Sequence, residues 1–199
     1  PNPHLWPDPI LALKYAGIVR NALTTLDPEG AIYYRANYEE FRLRIDTLDA
    51  AIKTAVATVP EVQRQLLTYH DSWAYFAKRY GFEVLGAVQP ADFTEPSPRD
   101  MADLIVQVRD LGVPAIFGSE VFPSSVMEQI AFESGAVFID QLADDDLPGD
   151  PGDAGHSYLG LMIKNMVTMV RALGGDASAL GAVDSSLVFD GQSHAEYPG

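Results

Sequence analysis

The chain has no cysteine among its 199 residues, so neither a disulfide framework nor a thiolate metal site is open to it, and any metal must be held by His, Asp or Glu. It is also poor in positive charge. With 13 Lys and Arg against 28 Asp and Glu, a formal net charge of −15, no basic patch exists to displace counterions from phosphates, and nucleic acid is excluded as a partner. No apolar run approaches the roughly 20 residues that span a bilayer, and no cationic start followed by a short apolar stretch marks a signal peptide. An opening of Pro1-Asn2-Pro3-His4, without an initiator Met, reads as the continuation of something longer.

What is present is a globular composition, 47% hydrophobic and 21% charged, sufficient for one core or two small lobes. Two of the histidines stand in unusual settings: His4 in Asn2-Pro3-His4-Leu5-Trp6-Pro7-Asp8-Pro9, and His70 in Thr68-Tyr69-His70-Asp71-Ser72-Trp73-Ala74-Tyr75-Phe76. Together with Asp140 in Val137-Phe138-Ile139-Asp140 they offer two imidazoles and a carboxylate, donors that a borderline cation such as zinc accepts. Each has a second reading. His4 can cap or pack beside Trp6, His70 can be a satisfied histidine at a strand end, and Asp140 can cap the loop after its strand.

The pattern along the chain predicts an α/β fold. Asp8-Pro9 caps a first helix with an apolar face from Ile10 to Val19, ended by Leu26-Asp27-Pro28-Glu29-Gly30. Tyr38, Phe41, Ile45, Leu48, Ile52, Ala55 and Val59, spaced three and four apart and stopped by Pro60, predict a helix over 37–59. That run is too short for a convincing coiled coil and reads as a spacer. Strands at 65–69, 82–88, 114–118 and 136–139 then alternate with helices at 72–80, from Ser97-Pro98 to Leu111, and at 124–134, which implies a mainly parallel sheet. In such sheets ligands bind beyond the carboxyl ends of the strands, where His70, Glu120 and Asp140 each follow a strand. The acidic stretch 143–153 reads as a solvated loop, 157–173 as a final helix whose methionines pack the core, and the segment after Gly174-Gly175 as a weakly patterned, flexible tail.

These segments resemble the zinc- and manganese-binding solute receptors of bacterial ABC importers. Pro3-His4-Leu5-Trp6-Pro7-Asp8-Pro9 is similar to that family's Asp-Pro-His-x-Trp-x-x-Pro segment, and His70-Asp71 through Tyr75-Phe76 to its His-Asp-x-x-x-Tyr-Phe block. Phe117-Gly118-Ser119-Glu120, Ile139-Asp140, and Ser157-Tyr158 with Asn165 occur in the family's order. The resemblance covers residues 1 to about 175. It implies a two-lobed fold with parallel-sheet lobes joined by a long rigid helix and with the first lobe incomplete in this chain: 1–36 a remnant of the amino-terminal lobe, 37–60 the linker helix, 61–175 the carboxy-terminal lobe, and 176–199 a tail outside the match.

The resemblance further implies capture of Zn²⁺, or next Mn²⁺, by His4, His70 and Asp140, with a first ligand in the absent segment, and delivery to an ABC permease from a periplasmic or extracellular location, with an anchor in a segment absent from this chain. It implies no catalysis. Glu120 and Asp71 are candidates to support the ligands from behind, and Asn2, standing where the family usually has Asp, is expected to weaken a contact that orients His4. His156 and His194 match no ligand position. Trp6, Trp73 and Tyr75 read as packing residues. Without its first lobe the chain would expose apolar surface on the first two helices, which predicts self-association or pairing with the missing segment. Two other classes stay open: a metal hydrolase with Glu120 as base, and an adhesion or interaction module with an incidental metal site.

Overall fold

The computed structural model describes residues 2–89, 96–119, 125–143, 145–153 and 155–186. In it a helical arm leads into one parallel sheet covered by helices on both faces. Helix α1 (Pro9–Leu26) starts where Asp8 accepts hydrogen bonds from the backbone N–H of Ile10 and Leu11, with Pro9 at the first helical position. Helix α2 (Ala31–Ala57) packs back along it, and Arg20 of α1 lies over the Tyr38 ring of α2 at 4.3 Å.

Helix α2 begins six residues earlier than its apolar periodicity predicts, and its 27 residues span about 40 Å at 1.5 Å per residue. Its two halves have different surroundings. All of its buried side chains, from Ile45 to Val56, lie in the half that meets the sheet.

The sheet contains β1 (Gln65–His70), β2 (Glu83–Gln89), β3 (Ala115–Ser119) and β4 (Val137–Leu142) in the order β2-β1-β3-β4. All three pairings are parallel, as the alternating pattern predicts. The crossovers are α3 (Ala74–Tyr80), α4 (Pro98–Leu111) and α5 (Ser125–Ser134), and α6 (Tyr158–Ala172) follows β4. Ser97 opens α4 with a reciprocal capping box to Asp100.

Alternate strand residues serve opposite cores. Leu66, Ala115, Phe117 and Leu142 pack with α2, α3 and α6, whereas Leu67, Val88 and Ile116 pack with α4 and α5. Met162, Met166 and Met169 of α6 are fully buried in the first of these.

Two expectations need correction. Residues 176–186 are not a free tail, because a short 3₁₀ turn at Ser178–Ala182 seats Ala177, Leu180 and Val183 in the core beside α2, and Asp176 accepts the Ser178 hydroxyl at 2.9 Å. Residues 187–199, including His194, lie outside the described residues. Strand β4 runs on to Leu142 rather than ending at Ile139, so Asp140 lies inside it.

Candidate metal centre

The segment before α1 is held against the carboxyl edge of the sheet by side chains from three elements. Tyr158 at the start of α6 donates its hydroxyl to the Trp6 carbonyl at 2.7 Å, and burial, with Asp8 nearby, pushes that hydroxyl far above its ordinary range, so it remains a donor. Arg79 of α3 donates to Asp8 Oδ1 at 2.6 Å. Tyr75 donates to the Asn2 carbonyl at 3.1 Å, so its role extends beyond packing, whereas Trp73 is buried against Phe76.

This docking brings His4 to the last residue of β1. His4 Nε2 and His70 Nε2 stand 3.0 Å apart, with the rings nearly perpendicular at 85°. Two nitrogens bound tetrahedrally to one zinc at 2.0–2.1 Å would be about 3.3 Å apart, so the pair needs only a few tenths of an ångström of opening to hold a metal. Trp6 packs edge-on to His4 at 5.0 Å and closes one side of the pair. On the other side of His4, Nδ1 meets Asn2 Oδ1 at 2.8 Å. The orienting contact expected to weaken with Asn at this position is therefore made.

Asn2 in turn donates to the Asp71 carbonyl at 2.8 Å and to Asp71 Oδ2 at 3.1 Å. Asp71 thus stands behind the His4 side of the pair.

Asp140 is exposed and lies two strands away from β1, a lateral separation of roughly 10 Å between backbones at the usual strand spacing. The register passes from Phe117 beside Ile139 to Ser119 beside Leu142. Two residues of β4 therefore oppose Gly118, a bulge that re-aims the strand at Asp140. A Cβ at Gly118 would lie 2.8 Å from the Phe138 ring and 3.5 Å from the Asp140 Cα, so glycine keeps this crossing clear.

Among the described residues no trio of His, Asp or Glu converges as a metal-binding group: the structure unites His4 with His70 and leaves Asp140 apart from them. Glu120 lies outside the described residues. His156 is remote in role, its ring meeting the Gly149 carbonyl at 3.1 Å.

Asn165 was recognisable only by its order in the sequence. Buried on α6, it accepts from Ala143 N–H at 2.9 Å and donates to the Ala143 carbonyl at 2.6 Å, which fixes the chain as it leaves β4. A lone Asn among apolar helix residues was the available signal, since a buried amide needs partners.

Residues 1–172 match the family described as zinc-uptake complex component A, periplasmic. The chain is 29% identical over 172 residues to the manganese-binding lipoprotein MntA of Halalkalibacterium halodurans, covering 86% of this chain and 57% of that protein. It is also 29% identical over 176 residues to the zinc-binding protein TroA of Treponema pallidum, again covering 86% and 57%. The solved structure of the periplasmic zinc-binding protein TroA from Treponema pallidum superposes with a TM-score of 0.79 at 30% identity, over 86% of this chain and 64% of that one. The chain thus spans a little over half the length of the curated relatives it matches. These relatives are binding proteins rather than enzymes, which removes the hydrolase reading. From the match over 1–172, the chain belongs to the periplasmic component A family of zinc-uptake complexes.

Proposed function

We propose that this chain contributes to a solute receptor that captures a divalent transition metal, zinc ahead of manganese, and hands it unchanged to the permease of an ABC importer. The single observation that carries the reading is the approach of His4 Nε2 to within 3.0 Å of His70 Nε2, because two imidazole nitrogens so placed, with Asn2 behind one of them, form half of a tetrahedral nitrogen and oxygen site. Asp140 is the third ligand in this reading. The structure leaves Asp140 apart from the pair, so it would have to be carried toward the two histidines to complete the site, and Glu120 is the carboxylate proposed to support the ligands.

Two imidazoles with one carboxylate suit a borderline cation, and the divalent series places zinc above manganese at such a site. The relatives divide on this point, one named for manganese and one for zinc. A position outside the cytoplasm accords with the periplasmic description of the family. No helix among the described residues is long and apolar enough to cross a membrane.

The test is competitive titration of metal-stripped protein with Zn²⁺ and Mn²⁺, run beside His4→Ala, His70→Ala and Asp140→Ala. One metal bound per chain, zinc more tightly than manganese, with loss in all three variants, supports the reading. Binding that survives His70→Ala refutes it, and binding untouched by Asp140→Ala removes Asp140 from the ligand set.

A further inference from the structure

Among the described residues the Asn2 side chain makes four polar contacts, and together they permit one orientation of its amide. Nδ2 faces the Asp71 carbonyl at 2.8 Å and Asp71 Oδ2 at 3.1 Å, both acceptors. Oδ1 faces the backbone N–H of His4 at 2.9 Å, which can only donate. The usual ambiguity between amide nitrogen and oxygen is thereby resolved by the network. Since Oδ1 also faces His4 Nδ1 at 2.8 Å, that ring nitrogen carries the proton. A neutral His4 then keeps its lone pair on Nε2, the atom directed at His70.

We infer that Asn2 is a positioning residue that presets the tautomer of His4, and that Asp71 acts through it by holding the amide in place. This rests on the reading of His4 as a metal ligand. An amide at position 2 accepts from His4 and also donates to Asp71, where the carboxylate usual in the family can only accept.

The experiment uses metal-stripped chain labelled with ¹⁵N-histidine, in which the His4 ring tautomer is read by NMR before Zn²⁺ affinity is measured by competition. The expected wild-type signature is a protonated Nδ1 and a bare Nε2. Asn2→Ala should lose that preference and weaken zinc binding by about 10- to 100-fold, the range usual for partners standing behind a ligand. Asn2→Asp keeps an acceptor for His4 Nδ1 and should retain the tautomer preference that Asn2→Ala loses.

Asn2→Ala binding zinc as tightly as the wild type would overturn the proposal, as would a wild-type His4 protonated on Nε2. The tautomer is read without metal. A wild-type chain that shows it but takes up no zinc therefore refutes the receptor reading, whereas the wrong tautomer in a chain that does bind zinc refutes this one.

Discussion

Arg79 and Asp8 form an ion pair at 2.6 Å in which Asp8 Oδ1 is also the oxygen that caps α1, 2.9 Å from Ile10 N. One carboxylate thus begins a helix and fastens it to α3, four residues after His4. The guanidinium continues toward Asp49 of α2 at 3.8 Å, and Asp49 accepts from Tyr80 at 2.9 Å and from Lys53 at 2.6 Å. The network ties the His4 segment, the long helix and the sheet's first crossover together.

Asp8→Ala removes a cap worth about 1 kcal/mol and takes the nearer carboxylate from the half-buried Arg79, leaving it only Asp49 at 3.8 Å, at a further cost of about 1–3 kcal/mol. Chemical denaturation should show a loss of about 2–4 kcal/mol. Arg79→Ala leaves the cap in place, so it should cost less. Equal losses from the two variants would show that the cap contributes nothing.

Leu180 is fully buried in the core shared with α2 and α6. Leu180→Ala should destabilise the chain by about 2–5 kcal/mol, as deletion of a well-packed leucine does, read from the urea midpoint at unchanged slope. A change under about 0.5 kcal/mol, the scale of an exposed site, would mean that the segment after α6 is not seated.

Burial first, and then the hydrogen bond to Asp49, pushes the Tyr80 hydroxyl far above its ordinary value of 10.0, and burial does the same for Tyr158. Both folded values are raised, so the unfolded chain releases these protons first. The stability they contribute is complete below about pH 10 and falls as pH climbs above it. Alkaline unfolding should therefore begin near the ordinary tyrosine range and steepen with pH. Tyr80→Phe and Tyr158→Phe should each flatten that decline, and an unaltered slope in the double variant would contradict the burial of these hydroxyls.

Helix α1 buries only Pro9 and Ala12, while Ile18, Val19 and Leu26 are exposed, Leu26 by 82%, and Ile32 at the start of α2 by 83%. An apolar stripe of this kind favours association. Sedimentation of the chain should show a mass that rises with concentration, and Ile18→Lys with Leu26→Lys should return it to the monomer value. A wild-type mass independent of concentration would refute the expectation.

Much of the architecture was readable because local periodicity changes between elements. Short continuous apolar runs such as Ala115–Ser119, buried on both faces, and capped helices such as Ser97–Leu111 announce themselves through residues close in sequence. The first turns of α2 are not legible in the sequence because their side chains are mostly exposed and carry no apolar period. The turn at Ser178–Ala182 is likewise hidden, because a single 3₁₀ turn is too short to have an apolar period. The length of β4 was set by its pairing with β3, a partner more than 15 residues away in sequence.

The candidate site divides in the same way. The sequence alone determined that the donors had to be nitrogen and oxygen, since cysteine is lacking, and it marked His4, His70 and Asp140 by their settings. Only the tertiary structure decided that His4 and His70, 66 positions apart, meet through their Nε2 atoms, that Asn2 and Asp71 stand behind His4, and that Asp140 lies in a bulge rather than after a strand. Residue type and period are local properties, written within a few positions of one another. Which ring nitrogen faces inward depends on hydrogen bonds and burial contributed by α3, α6 and the sheet, and these exist only once the chain has folded.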